Sequence, residues 1–105
     1  MIRSGGDQVS SFDTDVVAGS VNASSTLTLI TKTGHGVATL NIKGDGNVNV
    51  TMKYALDGGA DTNIDTSDVR GSITFAYATS LVIKATNGSG GAQNHSTISL
   101  TGMQR

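Results

Sequence analysis

The chain has 105 residues and a formal net charge of −1, from 7 Lys plus Arg against 8 acidic residues. That length fits one domain, and the singly scattered cations exclude the basic stripe that nucleic-acid binding needs. With no Cys there is no disulfide framework, thiol nucleophile or thiolate zinc site, and no apolar run approaches the length of a membrane span.

All eight acidic residues are Asp, and Pro and Trp are absent. Glu favours helices, whereas Asp favours caps and turns. Gly, Ser, Thr and Asn supply 47 of the residues, a mixture that suits strands and turns and starves helices. The expectation is an all-β chain.

Residues 1–15 are polar, with Ile2, Val9 and Phe12 as isolated apolar points. They have no apolar h-region, which predicts no signal peptide. They read either as a loose terminus or as an extended arm that docks on a neighbour through Phe12. Residues 16–105 are expected to form a single β-sandwich domain.

About seven strands are predicted along the chain. A weak one spans 15–21. In 25–31, Leu27 and Leu29 alternate with Thr26 and Thr28. Ala38, Leu40 and Ile42 share one face of 37–43. The clearest alternation is 47–56, where Val48, Val50, Met52, Tyr54 and Leu56 oppose Asn47, Asn49, Thr51, Lys53 and Ala55. Strands also read at 71–78, 80–86 and 95–101. Several short strands with Gly-rich turns predict an antiparallel sandwich, immunoglobulin-like or jelly-roll-like. The expected core is Leu27, Leu29, Leu40, Ile42, Val48, Val50, Met52, Tyr54, Ile73, Phe75, Leu81, Ile83, Ile98 and Leu100.

The segments 37–43 and 47–56 read as a hairpin. A two-residue turn would set Ile42 against Asn49, so parity favours the three-residue loop Asp45-Gly46-Asn47. That loop pairs Ile42 with Val50 and Leu40 with Met52, with Asn47 in the left-handed region.

Chemistry-bearing residues are few. Asp57, Asp61, Asp65 and Asp68 fall in one loop, 57–70, and hard oxygen ligands can hold Ca²⁺. Their spacing is not that of an EF-hand, and Asp also satisfies its own turns, so the solvated loop is the reading adopted. His35, in Thr33-Gly34-His35-Gly36, and His95, at a strand start, have no carboxylate within four residues; both read as exposed turn histidines. Asn22, Asn49, Asn87 and Asn94 head matches to the glycosylation pattern that arise by chance in so Ser/Thr-rich a chain. Gly44-Asp45-Gly46 and Gly88-Ser89-Gly90-Gly91 lack the Lys and helix of a phosphate loop and read as turns. No catalytic, cofactor-binding or metal-binding residue is assigned, and no enzyme activity is expected.

Three features carry a resemblance: the Gly/Thr/Asn-rich strands, the turn Tyr54-Ala-Leu-Asp-Gly-Gly-Ala-Asp61, and a closing hairpin of Leu81-Val-Ile-Lys-Ala-Thr-Asn-Gly88 with Ser96-Thr-Ile-Ser-Leu-Thr-Gly102. In these the chain resembles the small β-sandwich virion proteins of tailed bacteriophages, capsid decoration (cement) proteins and minor head or tail proteins among them. The resemblance implies a non-enzymatic structural protein, without cofactor, bound to a major capsid protein or other virion protein. It implies localisation in the virion after synthesis in the host cytoplasm, with neither nucleic acid nor membrane as partner. A homo-oligomer is expected on energetic grounds too. Ordering a hundred residues costs of order 100–200 kcal/mol, and large apolar side chains are scarce here. The competing expectation is a carbohydrate-binding or adhesin module, Ca²⁺-dependent if Asp57, Asp61 and Asp65 converge, with Phe12 as the one free ring.

Overall fold

The structure is a computed structural model and describes residues 9–105. The described residues contain strands and no helix. In chain order the strands are β1 Ser10–Val16, β2 Ser20–Val21, β3 Thr26–Thr33, β4 Gly36–Ile42, β5 Val50–Leu56, β6 Thr62–Thr66, β7 Gly71–Tyr77, β8 Ser80–Asn87, β9 Gln93–Asn94 and β10 Ile98–Gln104. A first sheet has the order β1-β10-β4-β7, a second the order β3-β8-β5-β6, and the short β2 and β9 pair with each other. All pairings are antiparallel.

The order defines the fold type. With β2 and β9 set aside, the remaining strands counted along the chain run first-eighth-third-sixth in one sheet and second-seventh-fourth-fifth in the other. Two interleaved Greek keys of this kind are a jelly roll, not an immunoglobulin sandwich. Among the described residues only β5 and β6 are consecutive strands paired as a hairpin; every other link between these long strands crosses from sheet to sheet.

Parity on each strand turns apolar residues inward. Leu40, Ile42, Phe75, Ile98 and Leu100 of the first sheet meet Val50, Met52, Leu81, Ile83 and Ala85 of the second, all buried. Tyr54 and Phe75 pack across this interface with ring centroids 4.6 Å apart and planes tilted by 49°, a geometry that aromatic quadrupoles favour. Val21, from the short β2, closes the core at one end.

Several expectations are corrected. Residues 37–43 and 47–56 do not form a hairpin: β4 lies in the first sheet and β5 in the second, so Ile42 pairs with Ile98 and Gly71 and never with Val50. The parity argument survives because two inward faces of opposite sheets obey the same alternation as two strands of one. Gly44, not Asn47, takes the left-handed backbone, at φ 83°. The expected closing hairpin of 81–88 with 96–102 is likewise split between sheets, β8 in one and β10 in the other. Val48 is 56% exposed because β5 begins only at Val50. Leu27 keeps inward parity, opposite Ala85, but is 40% exposed on an outermost strand. The register shift between Thr28 and Ile30 then lets Ile30 face inward opposite Ile83.

The predicted strand over 15–21 divides into the end of β1 and the short β2. The predicted arm over 1–15 falls partly on residues 1–8, outside the described residues. From Ser10 onward that segment is β1, paired with β10 from Ser10–Gln104 to Val16–Ile98. Phe12 is therefore not a free ring. It is half-buried against the core, with the Lys32 Nζ 4.4 Å from its centroid. The loop 57–70 also contains a strand, β6.

Candidate functional site

The crossings gather the polar side chains at the two ends of the sandwich. Links 17–25, 43–49, 67–70 and 88–97 share one end; 34–35, 57–61 and 78–79 share the other.

At the first end the 43–49 loop is tied to its neighbours by buried hydroxyls. The Ser96 Oγ accepts from the Gly44 N–H at 2.8 Å and donates to the Asp45 carboxylate at 3.0 Å. Asp45 also accepts from the Thr97 N–H at 2.7 Å and its hydroxyl at 2.9 Å. The Thr97 N–H, with the hydroxyls adding to it, holds the Asp45 carboxyl below its ordinary value of 3.8. Ser67, fully buried, donates to the Asn47 carbonyl at 2.8 Å. Gly46 sits where a Cβ would strike the Ser67 hydroxyl and the Ser96 backbone N.

The buried Asn87 saturates its amide at the same end. Its Nδ2 donates to the Val21 and Gly91 carbonyls, and its Oδ1 accepts from the Ser89 N–H and hydroxyl. Burial removes Asn87 from the surface, while Asn22, Asn49 and Asn94 are exposed. His95 is not an exposed turn residue: it is 2% exposed, and its Nδ1–H donates to the Ser96 carbonyl at 2.7 Å.

At the opposite end Asp57 adopts the left-handed backbone, φ 54°, and its carboxylate caps the 78–79 turn. It accepts from the N–H groups of Ala78 at 2.9 Å, Thr79 at 2.7 Å and Ser80 at 3.1 Å. The Thr79 and Ser80 amides hold its carboxyl below the usual 3.8. His35 is also at this end, and its Nδ1 accepts from the Arg105 guanidinium at 2.9 and 3.1 Å.

The four carboxylates of 57–70 do not converge. Asp57 is spent on the turn, Asp61 pairs with Lys84 at 3.0 Å, Asp65 accepts from the Thr66 N–H and Asp68 from the Thr66 hydroxyl. Among the described residues no group of three or more His or Asp is placed to hold a metal. His35 and His95 lie at opposite ends of the sandwich.

What remains are broad faces. On the outer side of the first sheet, Asp13, Thr101, Thr39 and Thr74 form one row across four strands, and Asp15, Ser99, Asn41 and Ser72 the next. Beside them Val37 and Met103, 53% and 55% exposed, face outward as a cross-strand pair. With Val9 they line a shallow groove of about 460 Å³. A second groove, about 760 Å³, runs past Asp15, Val17, Lys43 and Arg70. Across the outer side of the second sheet runs a ladder of Thr26, Thr86, Thr51 and Thr66. Sequence reasoning missed the Asp45–Ser96–Thr97 tie and Asn87; the only signal for either was a small polar residue inside or beside a Gly-rich turn.

No protein-family model, curated protein or solved structure matches this chain.

Proposed function

We propose that this chain is a non-enzymatic structural protein of a virion, a capsid decoration protein that adds to the surface of a tailed-phage head and acts through its sheet faces and edges. One observation carries the reading: the outer faces of the jelly roll are built mostly from small polar side chains in cross-strand rows, while Asp45 and Asp57 are engaged in turns and Asp61 in an ion pair with Lys84. Such faces suit docking on another broad surface, and the jelly roll is an architecture of viral shell proteins and of lectins. The rings decide between those two. Phe12, Tyr54, Phe75 and Tyr77 all belong to the core or pack on it, so no described aromatic offers the stacking platform that sugar recognition uses. Asp57, Asp61 and Asp65 are dispersed, which removes the support for a Ca²⁺-dependent lectin.

The test is cosedimentation of the purified chain with intact heads and with tails of virions from the source that encodes it. Saturable binding to heads, indifferent to chelator, is expected. Glycan-array binding abolished by chelator, with no affinity for either particle, overturns the reading.

A further inference from the structure

Among the described residues four strands end the two sheets: β1 and β7 the first, β3 and β6 the second. An outermost strand presents a row of unpaired backbone donors and acceptors, and sheets blunt it with bulges, charge or Pro. Three of the four are blunted. The pairings of β3 and of β6 are each broken by a register shift, and β1 carries Asp13 and Asp15. β7, Gly71-Ser-Ile-Thr-Phe-Ala-Tyr77, has no charge, no Pro and no bulge. Among the described residues its backbone partners lie on β4 alone, so its other side is open.

We propose that β7 is a dimerisation edge, pairing antiparallel with β7 of a second copy about a two-fold axis at Thr74. The inference goes beyond the proposed function and shares with the sequence analysis only the expected homo-oligomer.

Register and charge both select this pairing. Inward residues must meet inward residues, because a one-residue slip turns the core face to water. Centring on Thr74 satisfies this and uses the whole strand: Gly71 meets Tyr77, Ser72 meets Ala76, and Ile73 meets Phe75 of the second copy. Half-buried Ile73, now at the rim of the core, gains an aromatic neighbour. On the outer face the row Thr101, Thr39, Thr74, already joined by a 2.9 Å hydroxyl bond between Thr39 and Thr74, continues into its own mirror order.

Beyond the strand, the same register sets Arg70 opposite Ala78 of the second copy, whose N–H is held by Asp57. Arg70 makes no ion pair among the described residues, and the two-fold brings a cation to a carboxylate at both ends of the joint. The equivalent pairing of β1 with itself, centred on Asp13, would oppose two carboxylates, which is unfavourable. A closed two-fold joint also leaves no free β7 to propagate a fibre.

The chain has no Cys, so a single introduced thiol reads the register. Residues directly opposite have Cβ atoms about 4.5–5.5 Å apart, close to disulfide geometry. Thr74→Cys, oxidised, is expected to give a covalent dimer; Ser72→Cys, opposite Ala76 and not itself, is expected to dimerise without forming a disulfide and to run as a single chain on denaturing gels. Thr74→Lys, checked for folding by circular dichroism, is expected to lose the dimer seen for the unmodified chain by sedimentation equilibrium. Equal crosslinking of the two Cys variants, a T74K dimer as tight as the parent, or open-ended polymer in place of dimer overturns the proposal. A monomer that still binds heads would sink this inference and leave the proposed function standing.

Discussion

Lys32 on β3 stands over the ring of Phe12 on β1, with its Nζ 4.4 Å from the centroid. The contact bridges the two sheets along the side where both outermost strands lie, so it acts as a clasp on that side of the sandwich. Phe12→Ala should cost about 1–3 kcal/mol, less than a fully buried Phe, and Lys32→Ala about 0.5–1 kcal/mol. Urea unfolding of the two single variants and the double variant measures the coupling. Additive losses would mean that the ring and the cation do not cooperate.

Asp57 holds three successive amides from a left-handed backbone position. Asn keeps an acceptor oxygen and tolerates that backbone; Ala does neither. Asp57→Ala is therefore expected to lower Tm clearly, and Asp57→Asn to recover most of the loss. Calorimetry checks the order of the two variants.

Acid should loosen the fold through Asp45 and Asp57. Both carboxyls titrate below 3.8 when folded, so the unfolded chain binds protons first as pH falls. Their stabilisation is complete above 3.8 and is lost as pH falls from there through the lower folded values. Tm against pH should fall across that window, and the double variant Asp45→Asn with Asp57→Asn should flatten the slope. An unchanged slope would assign the acid response to other groups.

Gly46→Ala forces a Cβ into the Ser67 hydroxyl and the Ser96 and His95 backbone. Two of these partners are main chain and cannot swing away, so a loss of roughly 1–3 kcal/mol is expected. Gly71→Ala, where a Cβ meets nothing within 4 Å, is the control, expected within about 0.5 kcal/mol of the parent.

Val48 and Val50 belong to one alternating run but lie 56% and 0% exposed. Val48→Asp should leave stability within about 0.5 kcal/mol of the parent. Val50→Asp buries an unpaired carboxylate and should abolish cooperative folding.

That pair marks what was legible in the sequence. Alternation at Leu40, Ile42, Val50, Met52, Phe75, Leu81, Ile83, Ile98 and Leu100 identified inward faces, because parity depends only on the local backbone. It could not say which strand lies beside which, since inward residues of opposite sheets look alike; hence the hairpin assigned to 37–56. Nor could it foresee that Leu27 lies on an outermost strand, or that a register shift turns Ile30 inward, because a bulge changes parity without changing composition. The polar ties were hidden for a related reason. Asp45 meets Thr97, and Asn87 meets Val21, across more than fifty residues of chain, and no spacing rule links them.

The strand order also bears on how the chain reaches this state. β10, the last long strand, lies between β1 and β4, so neither of those can be completed until 98–104 are available. During synthesis β4 can already pair with β7, and β3, β5, β6 and β8 can meet, but β1 lacks its partner until β10 emerges. Topologies built from such distant pairings fold slowly, and half-built sheets are exposed to wrong partners. A version permuted so that β10 precedes β1, its natural neighbour, would replace the longest-range pairing by a local one. It should refold faster while keeping the same final arrangement.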